Sequence, residues 1–173
     1  NVGGISTDGK VVLFERASGE LAASILDLPG GAASVDSPKV RGLWDGGLVD
    51  PERAEMIWDI LLGNIYEVAN SPAVNPHNGR IYITGAGKTE ASGHLYGIDL
   101  VGGELQIAFA ADIPPNSGTS PAISADGKRI YAMAKGEAFA LDAQNGEKVW
   151  SLAIDAQAAS PSVGVADVVY LLA

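Results

Sequence analysis

The chain has no cysteine. That absence excludes disulfides, thiolate metal sites and cysteine nucleophiles from its 173 residues. Charge is also sparse, at 18% of residues, and basic side chains are the scarcer kind, with 11 Lys and Arg against 21 Asp and Glu. The net charge of −10 argues against nucleic acid as a partner, because phosphate must be met by Lys and Arg. No apolar run approaches the length of a bilayer span, so no membrane span is expected in this segment. There are two imidazoles, His77 and His94. A metal site would need both, with carboxylates converging on them, and they read more simply as surface or hydrogen-bonded structural histidines. No Asp-x-Asp-x-Asp-Gly run marks a calcium loop.

What the chain has instead is apolar residues, turns and repetition. Apolar residues make up 47%, enough for a packed core, and 22 Gly with 9 Pro supply many turns. One pattern occurs three times, at residues 140–150 (ALDAQNGEKVW), 97–105 (GIDLVGGEL) and 13–21 (LFERASGEL). Each copy runs from an alternating apolar strand through an acidic residue and a Gly-Glu turn into another strand. A Ser-Pro punctuation repeats with it, at Ser71-Pro72, Ser120-Pro121 and Ser160-Pro161. The intervals are 49 and 40 residues between the serines, and 43 from Gly103 to Gly146. A unit of about 40–45 residues holding four short strands suits a propeller blade.

The expected fold is therefore all-β: a partial β-propeller of four-stranded antiparallel blades with one helical insertion. One blade is legible in full at 119–158. Its strands fall at 120–125, 129–134, 138–142 and 147–154, and Asp126-Gly127 is expected to form a tight hairpin with both central residues at positive φ. The blade at 70–118 reads alike, with an Asn78-Gly79 hairpin and strands at 80–84, 94–100 and 104–109. Residues 1–28 read as a partial blade and 159–173 as a truncated one. The last apolar strand, at 168–172, is not followed by a third and fourth, so the expectation is a part of a longer polypeptide. Residues 29–69 leave the repeat. Asp50 as N-cap, Pro51 at the first helical position and Gly63 past the end predict a helix over about 51–62. Its Ala54, Ile57, Trp58, Leu61 and Leu62 stripe is expected to pack across the propeller surface.

The Ala-x-Asp-x-x-(Thr)-Gly-x-x-x-Trp pattern carried by Ala140, Asp142, Gly146 and Trp150 resembles the repeat of pyrroloquinoline-quinone (PQQ) type β-propellers. Asn145 stands where Thr is usual. In the second copy Gly97 stands for Ala and Ile107 for Trp; in the first, Glu15 stands for Asp and Ala23 for Trp. The resemblance covers residues 70–173 well and 1–28 weakly. It implies that the Trp packs between neighbouring blades and that the Asp holds the turn. It also implies a periplasmic or extracellular location, although no signal peptide lies in this segment.

Two functions follow from the resemblance. The first is a non-catalytic binding or scaffold module of the cell envelope, meeting a protein or small-molecule ligand at the propeller face. The second is a segment of a PQQ-dependent alcohol or sugar dehydrogenase, with PQQ and calcium over the channel. That chemistry needs a catalytic Asp, carboxylate and amide calcium ligands and an aromatic floor. None is assignable, and neither Trp44 nor Trp58 lies in a matching motif. No cofactor, catalytic residue or metal ligand is evident, so the first function is expected. A propeller enzyme of another kind, such as a hydrolase or lyase, has no signature here.

Other motifs yield to plainer readings. Gly85-Ala86-Gly87-Lys88-Thr89 lacks both the earlier Gly and the following helix that phosphate binding requires. Gly118-Thr119-Ser120-Pro121-Ala122 lacks the second Gly of a nucleophile elbow. Asp99 and Asp142 hold the same repeat position, which favours turn stabilisation over acid–base work. If a ligand is held, the geometry of a propeller places it at the channel mouth. Asn70, Ser71, Thr119, Ser120 and Ser160 begin the inner strands and are the candidates there. Small polar residues crowding strands near an axis is the plainer account of them.

Overall fold

Strands alternating apolar residues with polar ones, closed by turns with left-handed glycines, build this molecule. The structure is a computed structural model and describes residues 2–5, 9–29, 71–86, 93–114, 119–134, 136–154 and 160–171. The expected helix over 51–62, with Asn70, Trp44 and Trp58, lies outside the described residues. The described residues form four antiparallel sheets. The first contains β1 (Val2–Ile5), β2 (Lys10–Phe14) and β3 (Leu26–Asp27) in that order. The second is β4 (Ala73–Val74), β5 (Ile81–Ala86), β6 (Gly93–Val101) and β7 (Glu104–Ile113). The third is β8 (Ala122–Ile123), β9 (Arg129–Ala134), β10 (Glu137–Asp142) and β11 (Lys148–Ala153). The fourth pairs β12 (Ser162–Val163) with β13 (Val169–Tyr170).

The period-2 alternation of the second sheet makes it the centre of the packing, because both of its faces are apolar. Ile81, Ile83, Tyr96, Ile98 and Leu105 pack with Val11, Leu13, Ala23 and Leu28 of the first sheet. Tyr82, Leu95 and Ile113 turn the other way, onto Ile130, Ala132, Phe139 and Leu141 of the third. Tyr82, Ile83, Leu95, Ile98, Ile130 and Phe139 are fully enclosed. Each contributes about 1.5–3 kcal/mol by leaving water. The short leading strands also neighbour one another, β4 against β8 and β8 against β12.

One irregularity recurs. In the second sheet Gly97 pairs with Phe109 and Ile98 with Ile107, so Ala108 is an extra residue in β7. In the third, Ala140 pairs with Trp150 and Leu141 with Lys148, so Val149 is extra in β11. Such a bulge moves the following side chains to the opposite face. Ile107 therefore packs toward the first sheet, while Phe109 and Ala111 pack toward the third. The register makes Phe109, not Ile107, the counterpart of Trp150. This corrects the assignment made by counting from the Gly-Glu turn.

The hairpins also differ from expectation. Neither Asn78-Gly79 nor Asp126-Gly127 is a two-residue turn with two positive-φ residues. In the first, Asn75 N–H donates to the Arg80 carbonyl and Gly79 N–H to the Asn75 carbonyl. Only Gly79 is left-handed, at φ 77°. The same pair of bonds closes the turns at 15–20 and 142–147, with Gly19 at φ 74° and Gly146 at φ 77°. The residue before each glycine (Ser18, Asn78 and Asn145) accepts the N–H of Glu20, Arg80 and Glu147 respectively. A polar side chain capping a left-handed glycine turn is thus the recurring device. The two-residue hairpin of the molecule lies elsewhere, at Gly102-Gly103, where Val101 pairs directly with Glu104.

Candidate functional site: the repeated junction between sheets

The strongest concentration of polar chemistry sits where the second and third sheets meet. Arg80, at the start of β5, forks onto Asp99 with Nε–Oδ1 at 2.7 Å and Nη2–Oδ2 at 2.8 Å. Its remaining nitrogen, Nη1, donates to the carbonyls of Ala143 (3.1 Å) and Gln144 (2.7 Å) in the third sheet. Tyr82, two residues on and on the same face, donates its hydroxyl to the Ala143 carbonyl at 2.9 Å. The turn 142–147 is therefore held by an arginine and a phenol reading its backbone. The hydrogen bond from Arg80 lowers the Asp99 pKa, and that with Asp99 raises Arg80. Burial raises Tyr82. Asp99 is consequently a fixed anion, suited to holding a guanidinium and not to trading protons.

Phe109 fills the space between the two sheets. Its ring lies against Gly97 of its own sheet, where a Cβ would come within 2.4 Å, and against Gly146 of the third sheet, where a Cβ would come within 2.5 Å. Tyr82 lies 6.3 Å away, ring centre to ring centre, and Arg80 sits 5.8 Å above the face. A glycine inside a strand commonly marks close approach of another group. That accounts for Gly97 standing where the repeat pattern has Ala.

The junction is knitted further at the opposite end of these strands and across the turns. Asn75, fully buried, donates its amide to the Gly127 carbonyl at 2.8 Å. His77 places Nε2 3.0 Å from the Ala125 carbonyl, which requires the Nε2–H tautomer. His94 lies 3.0 Å from Asp112, its cross-strand partner. Both imidazoles are thus engaged with protein groups.

Of the channel-mouth candidates, Thr119 is fully buried. Its hydroxyl donates to the Met133 carbonyl, and its own carbonyl accepts the Thr84 hydroxyl. The structure commits it to joining sheets. Ser120 and Ser160 are brought together, the Ser120 N–H donating to Ser160 Oγ at 2.9 Å. Ser71 is exposed and is not joined to them. Asp142 carries Arg129 at 3.0 Å and accepts the Gln144 N–H at 2.8 Å, as its turn role implies.

A cleft of about 430 Å³ opens beside the junction, bordered by Arg80, Lys128, Arg129, Asp142 and Gln144. Its arginines are already paired with Asp99 and Asp142. For calcium, the described carboxylates Asp99, Asp126 and Asp142 are engaged by Arg80, by Ser124 and Lys128, and by Arg129. They point to separate partners and do not converge, so the described residues do not supply a quinone–calcium donor set. What the arrangement does chemically is recognise backbone carbonyls with fixed donors. Sequence reasoning missed Arg80, Tyr82 and Phe109 as a unit. The shared Arg-Ile-Tyr at 80–82 and 129–131 was the available signal.

No protein-family model matches this chain, and no curated protein matches it.

Proposed function

We propose that the chain is a PQQ-like-repeat β-propeller module acting as a non-catalytic binding or scaffold element of the cell envelope. One observation carries the reading. Successive sheets stack through the same residues, with leading strands β4, β8 and β12 adjacent. Regular stacking of antiparallel sheets about their leading strands is how a propeller leaves few exposed edges. The chemistry at the junctions favours binding over turnover. Its ionised groups are locked in ion pairs, and its donors face peptide carbonyls. The acidic, cysteine-free composition accords with an envelope setting without requiring it.

The test is a titration of purified protein with PQQ and calcium, read by quinone absorbance and by dye-linked oxidation of primary alcohols and aldose sugars. In-cell crosslinking with identification of the captured envelope protein runs beside it. Absence of quinone retention together with a reproducible envelope partner supports the scaffold reading. Retained quinone with turnover overturns it in favour of the dehydrogenase.

A further inference from the structure

The junction between the second and third sheets has two halves: a platform (Arg80, Tyr82, Phe109) and a turn (Asp142–Glu147). The chain carries one more of each, both uncovered among the described residues. The second platform is Arg129, Tyr131 and Trp150 on the far face of the third sheet. Its geometry matches the first. The Tyr131 and Trp150 rings lie 6.1 Å apart at 35°, against 6.3 Å and 36° for Tyr82 and Phe109. Arg129 pairs with Asp142 as Arg80 does with Asp99. Yet Trp150 is 41% exposed, and the Arg129 side chain is 39% exposed where Arg80 is 15%.

The second turn is Glu15–Glu20 in the first sheet. It is closed by the same two backbone bonds as the docked turn, and all six residues are exposed. Nothing lies within 4 Å of the Cβ position of Gly19, whereas the corresponding Gly146 presses on Phe109. The second sheet stands between this turn and the platform, packing the first sheet on one face and the third on the other. One copy therefore does not bring its own turn to its own platform.

We propose that the Glu15–Glu20 turn of one copy docks on the Arg129–Tyr131–Trp150 platform of a second copy, joining chains head to tail. The contact continues an existing interface, since the same face of the third sheet already receives the fourth through Ser160 and Asp167. By the internal template, Arg129 donates to the carbonyls of Arg16 and Ala17, and Tyr131 donates to that of Arg16. Gly19 lies on the Trp150 indole. Glu15 and Glu20 flank the turn and face Lys128 and Arg129, which complements charge. A heterologous contact of this kind builds rings or open chains of copies. The inference rests on the sheet packing and not on the scaffold reading.

The experiment is sedimentation velocity over a wide concentration series on the whole chain, with two complementary variants. Wild type is expected to gain mass in steps of one chain. Trp150→Ala spoils the platform and Gly19→Val spoils the turn, each weakening association at least about tenfold. Mixed together, they retain one good turn and one good platform, so they form a pair that stops at two chains. Tyr131→Phe keeps the ring and the fold, and weakens association about two- to tenfold by removing one hydrogen bond. Wild type that stays monomeric at every concentration overturns the proposal. So does assembly indifferent to Tyr131→Phe and Trp150→Ala. A monomer in which Trp150 is shielded from a soluble quencher, judged against Trp150→Phe, overturns it in favour of a hairpin from the same polypeptide.

Discussion

Phe109 and Trp150 occupy the same register position in successive sheets, one beside Gly97 and the other beside Ala140. Phe109 is covered by the turn of the next sheet and Trp150 is not. The difference separates two things that a repeat motif confounds. The bulge, the Arg–Asp fork and the tilted ring pair form within one sheet. Burial, and with it most of the stabilisation, arrives only when a neighbouring turn closes over them. The aromatic is thus a prepared surface first and a core residue second.

The largest effect should come from removing the covered ring. Phe109→Ala empties the space bounded by Gly97, Gly146 and Tyr82 and is expected to cost about 3 kcal/mol. Trp150→Ala in dilute, monomeric protein should cost about 1 kcal/mol or less, because the ring keeps only its contact with Tyr131. Urea melts of the two variants decide it. Equal losses would mean that the ring pairs stabilise their own sheets and that the junction adds little.

A smaller contrast lies in the glycines. Gly146→Ala adds a methyl group into the Phe109 ring at a left-handed position and should cost about 2–3 kcal/mol. Gly19→Ala meets only the left-handed strain and should cost about 1 kcal/mol. The arginines follow the same order. Arg80→Met strands Asp99 and two carbonyls and should cost about 2 kcal/mol. Arg129→Met, at a more open pair, should cost about 0.5 kcal/mol. Chemical denaturation with matched slopes measures all four. An Arg129 variant as damaging as the Arg80 one would show that this platform is covered too.

How much of this was legible in the sequence follows the kind of information each feature carries. Strand β9 is Arg129–Ala134, the very run read from RIYAMA, and β10 is displaced by one residue at its start. Period-2 alternation bounded by turn residues is written in the side chains themselves. The leading strand expected at 120–125 is shorter, Ala122–Ile123, because Ser120 and Ser124 are used in bonds outside the ladder. The bulges left no compositional mark. Counting four residues from the Gly-Glu turn therefore led to Ile107, although the tighter Gly102-Gly103 hairpin and the extra Ala108 together shift the aromatic to Phe109. A glycine at 97 inside an apolar strand was the one local hint. The candidates at strand starts were found by position, yet Thr119 proved buried because adjacent leading strands need its hydroxyl between them. Arg80 and Tyr82 reach across 61 to 64 residues to their acceptors, a distance that no local pattern encodes.

The smallest effect is a pH dependence that separates the two forks. Asp99 has its folded-state pKa depressed below the ordinary carboxylate value by the Arg80 hydrogen bond. Its contribution is therefore present above the unfolded-state value, near 3.8, and is lost as pH falls through the lower folded-state value. Stability followed by urea midpoint from neutral pH downward should fall in that acid range, and Asp99→Asn should flatten part of the fall. Because Asp99 is about one-third exposed, solvent screens the pair and the slope should be shallow. The same substitution at Asp142, whose arginine is the more open of the two, should flatten the curve less. A steeper acid loss assigned to Asp142 than to Asp99 would mean that the third sheet's fork works in a more enclosed setting than its exposed Trp150 implies, and would place a covering group on that platform.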